Sequence, residues 1–194
     1  MRTSTSFLII LFFAAGALLL THCRSKQQAA VPAGETRVEV LCSGPRYFTD
    51  NEYFRANSVG ESTNQANSKR IALSNARAEL AGQIEVTVKS VIDNYVQDIT
   101  VGDRSEFMQR YEGLSREVIN QRLQGTRVIC EELTRTASGV YRTYIAIELS
   151  GNEILNAMNQ RISNDDRLRV DYNYEKFKDT FNQEMEQMRE ERGY

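Results

Sequence analysis

STNQANSKRIALSNARAELAGQIEVTVKSVIDNYVQ, residues 62–97, decides the fold. Ser62 and Gln65 stand three apart, the spacing of a capping box, in which the serine and glutamine side chains satisfy each other's backbone donors. Ala66, Leu73, Ala76, Leu80, Ile84, Val88, Val91 and Tyr95 then follow mostly at steps of three and four, one face of a helix running to about Gln97. Ala72, Ala76, Ala81 and Gly82 are small enough to let that helix lie close on a sheet. A core helix needs no chemistry to explain it.

Strand patterns flank the helix. Residues 37–42 alternate, with Val38, Val40 and Cys42 against Arg37, Glu39 and Leu41, and predict a half-buried first strand ended by Ser43-Gly44-Pro45. Residues 47–59 read as a loop whose rings, Tyr47, Phe48, Tyr53 and Phe54, either pin it to the core or form a binding surface. On the far side, Phe107, Tyr111, Leu114, Val118 and Leu123 make a second helical stripe, weakened by Gly113 and closed by Gln124-Gly125.

A hairpin comes next. Residues 126–134 place Val128 and Cys130 on one face. Residues 140–149 set Tyr141, Ile145, Ile147 and Leu149 against Arg142, Tyr144 and Glu148. Thr136-Ala137-Ser138-Gly139 joins the two, with Gly139 suited to a left-handed turn position. Ser150 to Glu153 repeats the capping-box spacing before a short helix with Ile154, Leu155, Met158 and Ile162 inward. Asn164-Asp165 can cap a last helix to about Arg192. The expected fold is α+β: a small antiparallel sheet of strand and hairpin packed against helices, with an amphipathic C-terminal helix.

That last helix has a narrow seam, Val170, Tyr174, Phe177, Phe181, Met185 and Met188, against a densely charged back. Three readings stay open: packing on its own domain, docking on a partner protein, and lying on lipid, which the many acids disfavour.

Location is legible at the other end. Arg2 precedes an apolar run over residues 7–20, and Leu20-Thr21-His22-Cys23 follows. This is the layout of an export signal, with a run too short to span a bilayer. Cleavage before Cys23 would expose a thiol for acylation, giving a lipid-anchored protein in an oxidising, extracytoplasmic space. His22 departs from the small residue usual before a lipoprotein cysteine, so soluble secretion and a retained anchor are the rival readings. The expected organisation is a signal peptide (1–22), a polar tether broken by Pro32 and Gly34 (23–35), an α+β domain (36–162) and a helical extension (163–194).

Composition narrows the chemistry. His22 is the only histidine and would leave with the signal, so the mature chain has no imidazole for acid–base work or zinc. The net charge of −2 and the lack of a basic block argue against nucleic acid. Asp165-Asp166 and Glu131-Glu132 carry no signature of a catalytic pair and read as solvated charge. No catalytic residue, metal or cofactor is expected. With Cys23 acylated, Cys42 and Cys130 remain as a pair, either a disulfide or two buried thiols.

Residues 60–81 carry a further signal: Gly60 before the helix, the ladder Ala66, Ala72 and Ala76, then Ala76-Arg77-Ala78-Glu79-Leu80-Ala81. With Leu123-Gln124-Gly125-Thr126-Arg127-Val128 and Tyr141-Arg142-Thr143-Tyr144-Ile145-Ala146-Ile147, this resembles the "Lpp-twenty" family of bacterial outer-membrane lipoproteins. The resemblance covers most of residues 38–149. It implies a small α+β domain related to the amino-terminal module of the flagellar T protein, an outer-membrane address and no known chemistry. Arg24 after the cysteine, and the absence of an acidic run over residues 24–27, agree with outer-membrane sorting and a periplasmic face. The function expected is a non-enzymatic, lipid-anchored envelope module with an unknown protein partner. The alternative is non-catalytic binding of an envelope glycan or lipid through Tyr141, Tyr144, Tyr172 and Tyr174.

Overall fold

The computed structural model describes residues 31–97, 99 and 103–191. The apolar run, Cys23 and most of the tether lie outside the described residues. Among the described residues no helix is long and apolar enough to cross a membrane. The chain divides into Met1–Val38 and a compact unit, Glu39–Tyr194. Of the first, residues 31–38 are described; they carry a turn in which Glu35 N–H donates to the Pro32 carbonyl at 3.1 Å.

The compact unit runs β1 (Tyr53–Ser62), α1 (Gln65–Gln97), α2 (Arg104–Arg122), β2 (Arg127–Arg135), β3 (Tyr141–Ser150), α3 (Gly151–Asn164) and α4 (Tyr174–Glu191). The three strands form an antiparallel sheet in the order β1-β3-β2. The α+β architecture is the expected one. Its first strand is not.

Residues 37–42 form no strand: Val38 is 78% exposed and Cys42 sits at a positive φ of 53°, which breaks the extended run. The strand is β1, in the stretch read as a loop. Phe54 and Ala56 face the core opposite Leu149 and Ile147, and Ser58 and Gly60 continue that face opposite Ile145 and Thr143. Gly60 is required there. A Cβ at this position would lie 2.2 Å from the Ser68 carbonyl oxygen and 2.4 Å from the Ala72 nitrogen, both backbone atoms of α1.

The small face of α1 answers that closeness. Ser68, Ala72 and Ala76 are buried on the sheet, and the Ser68 and Thr143 hydroxyls share a buried 2.8 Å hydrogen bond. Further along, Leu80, Ile84, Val88, Val91 and Tyr95 fill the wider space beneath α2 and α4. Each such side chain contributes about 1.5–3 kcal/mol on burial. The α1 cap is Asn64, whose Oδ1 accepts from Asn67 N–H at 3.1 Å; Ser62 instead accepts from Asn64 N–H.

α2 is one helix through Gly113, capped by Asp103, which accepts from Ser105 and Glu106 N–H. The hairpin forms as expected, with Gly139 at φ 87°. A bulge between Val128 and Cys130 corrects one detail: these residues point to opposite faces, Val128 pairing with Ile147 and Cys130 with Ala146. Ser150 precedes α3 but makes no side-chain cap bond. The last helix starts later than expected. Asp165 Oδ1 accepts Arg167 and Leu168 N–H where a short 3-10 turn, Leu168–Val170, begins, and Asn173 Oδ1 receives Lys176 N–H at the head of α4.

Candidate functional site

The sequence seam of the last helix turns inward. Phe177, Phe181 and Met185 are buried in the core of the same compact unit. The Phe177 ring meets Tyr95 edge-on at 5.4 Å and Tyr172 at 5.7 Å, and stacks at 6.3 Å from Tyr111. Met188 packs at the edge of this core, its sulfur 3.8 Å from the Thr87 hydroxyl. Tyr174 is half-buried at the start of the helix. Val170 lies outside the helix, in the 3-10 turn, and is 76% exposed. The six residues therefore form no free docking stripe, and α4 is not an extension separate from the domain. A core-facing stripe and a partner-facing stripe have the same periodicity, so the pattern alone could not tell them apart.

Nor do the four tyrosines share a surface. Tyr141 lies on the helix-covered side of β3, beneath the Arg135 guanidinium at 5.2 Å, whereas Tyr144 points to the other side. Tyr172 belongs to the aromatic cluster around Tyr95, and burial raises its hydroxyl pKa. Tyr174 packs beside Lys178.

Cys42 and Cys130 are joined. Their Cα atoms are 5.5 Å apart and 88 residues separate them in sequence. The bulge aims Cys130 at the sheet face away from the helices, and the positive φ of Cys42 turns that residue down onto it. Ala146, the partner of Cys130 on that face, is fully buried.

Next to the disulfide the same face carries an ion cluster that sequence reading missed. Register sets Arg55, Glu148 and Arg127 side by side across β1, β3 and β2. The Glu148 side chain, only 7% exposed, receives Arg55 Nε at 3.0 Å and Arg127 Nε at 2.9 Å. Arg55 Nη1 also donates to Asp50 Oδ2 at 2.5 Å and to the Phe48 carbonyl at 3.0 Å. Buried Thr49 accepts Arg55 N–H at 2.8 Å and donates to Gln83 Oε1 on α1, also at 2.8 Å.

Burial pushes the Glu148 carboxyl pKa up, but hydrogen bonds from Arg127 and Arg55, with their charges, outweigh it and hold it below the usual range. Asp50 is lowered in the same way: burial raises it, while Glu52 and Tyr53 N–H groups and Arg55 more than compensate. Each carboxylate receives three hydrogen bonds, an arrangement that fixes the 48–53 loop to the sheet. Only the regular spacing of Glu148 among apolar neighbours hinted at it.

Two larger open clefts lie on the described surface. One, of about 620 Å³, lies between the start of α1 and β2 and is lined by Ala66, Lys69, Glu131, Leu133 and Tyr141. The other, of about 400 Å³, lies between α1 and α2, with Ala81, Ile92, Met108 and Ile119 inside and Glu85, Lys89, Glu112 and Arg116 around it.

Fold and site together define a small α+β domain whose N-terminal loop is bound to the open sheet face by a disulfide and an ion cluster. Beyond that class, comparison with family models, curated proteins and solved structures finds no match to this chain.

Proposed function

We propose that the chain is a non-enzymatic, lipid-anchored protein of the bacterial cell envelope, a structural or protein-interaction module on the periplasmic side of the outer membrane. The observation that carries this reading is the Cys42–Cys130 disulfide. Such bonds persist in oxidising compartments. That is where the apolar run ending at Cys23 would deliver the chain. The resemblance of residues 60–81 and of the hairpin to "Lpp-twenty" lipoproteins points the same way.

The acidic side chains add support, since Glu148 and Asp50 are committed to arginines. The dispersal of Tyr141, Tyr144, Tyr172 and Tyr174 leaves the glycan-binding alternative without its common surface.

The test is fractionation and crosslinking in intact cells. The wild-type chain is expected in outer-membrane fractions, with Cys42 and Cys130 protected from alkylation and with envelope proteins trapped beside it. Cys23→Ala is expected to leave the membrane fraction. A Cys23→Ala chain that stays in the outer membrane, or a wild-type chain with two reduced thiols, would overturn the reading.

A further inference from the structure

β2 has β3 on one side and, among the described residues, no strand on the other. An edge of this kind presents unpaired backbone N–H and C=O groups and invites another strand. α1 packs on β1 and β3 and stands back from β2 across the 620 Å³ cleft, which leaves Leu133 43% exposed. Glu131, Leu133 and Arg135 point to the helix side of the sheet, while Glu132 and Thr134 point away.

The order of charges on this edge selects what can pair with it. A second copy, related by a two-fold axis normal to the sheet, runs antiparallel and keeps each face continuous. Opposed residues must then lie on the same face, so the axis passes through a residue. With Glu131 or Glu132 on the axis, two carboxylates oppose each other. With Thr134 there, Leu133 meets Arg135. With Leu133 on the axis, Leu133 meets its own copy, Glu131 meets Arg135 twice and Glu132 meets Thr134 twice. Opposite charges and apolar contacts favour a cross-strand pair and like charges oppose it. One register satisfies every position. The bulge and the disulfide lie outside the segment it uses.

We propose that β2 is a self-association edge: two copies join antiparallel through residues 131–135, with Leu133 on the two-fold axis, and the two sheets become one of six strands. Glu131 then exchanges or shares its 2.8 Å pairing with Lys69 for Arg135 of the second copy. The pairing rests on the domain alone and stands whether or not Cys23 is acylated.

The test uses the full chain extracted in mild detergent. Opposed Cα atoms of an antiparallel pair are about 4.5–5.5 Å apart, within disulfide range. Leu133→Cys should form a symmetric crosslinked dimer under mild oxidation. Glu131→Cys and Arg135→Cys should crosslink poorly alone and strongly when mixed. Val86→Cys, on the exposed outer face of α1, is the control. By light scattering the wild type should be a dimer. Glu131→Arg should weaken association on the order of tenfold, and adding Arg135→Glu should restore it. A monomeric wild type, Leu133→Cys crosslinking no better than Val86→Cys, or Glu131→Cys crosslinking to itself as strongly as Leu133→Cys would overturn the proposal.

Discussion

Replacing both Cys42 and Cys130 by serine removes a crosslink that closes 88 residues of chain. In the chain-entropy description, freeing a loop of that length stabilises the unfolded state by ~4–5 kcal/mol. A domain of this size is stable by about 5–15 kcal/mol, so the double variant should fold but with little reserve. For such a chain each kcal/mol shifts the midpoint by ~2–4 °C, which makes the expected fall in Tm roughly 10–20 °C. Part of the loop survives the change: Thr49 still bonds Arg55 and Gln83, and Arg55 still holds Asp50. Fraying should therefore concentrate at residues 39–47, ahead of Thr49. The assay is urea unfolding followed by circular dichroism, oxidised wild type against the double serine variant, with thiol counting to confirm the oxidation state. A difference under ~1 kcal/mol would refute the reasoning, because the bond would then constrain only a segment already free in the native state.

Other perturbations address the remaining joints of the structure. Gly60→Ala drives a methyl into the α1 backbone and should cost roughly 3 kcal/mol or more, at the upper end of overpacking; urea unfolding reads it, and a neutral result would mean α1 does not approach so closely. Phe177→Ala empties the centre of the aromatic cluster and should cost about 3–5 kcal/mol, while deleting residues 174–191 should unfold the domain; a truncated chain that keeps its near-ultraviolet dichroism would contradict the core role of α4. Glu148 and Asp50 have folded-state pKa values below their unfolded ones, so the unfolded chain binds more protons between the two values and their contribution is lost as pH falls. The stabilisation is complete at neutral pH, begins to fade near the ordinary glutamate value of about 4.5 and disappears below the folded values. Wild type and Glu148→Gln should thus differ most at pH 7, and the gap should narrow progressively as pH falls below about 4.5 in matched urea melts; a constant gap would remove Glu148 from the acid response.

Elements whose pattern reflects only their own period were legible from sequence. α1 announces itself through its apolar stripe, of which Ala76, Leu80, Ile84, Val88, Val91 and Tyr95 are buried. Ala66 is exposed and Leu73 only half-buried, Ser68 and Ala72 facing inward at that end. The hairpin shows in the alternation of 141–149 with Gly139 at its turn. β1 was hidden for a tertiary reason. Its inward position Gly60 is small because the α1 backbone lies against it, and Ser58 on the same face is polar, so hydrophobic alternation fades toward the tightest contact. Residues 37–42 show the converse, a clean alternation with no strand to pair with. The Val128–Cys130 bulge adds a residue that no periodicity displays, yet with the positive φ of Cys42 it lets the sulfurs meet. The ion cluster depends on cross-strand register, which places Arg55, Glu148 and Arg127 in one row from three distant segments.

Mass spectrometry of the N-terminal peptide from membrane-extracted protein bears most directly on the envelope assignment. A chain beginning at Cys23 with a diacylglyceryl thioether on its sulfur is the expected result. A free Cys23 thiol, or a mature chain beginning at another residue, would contradict it.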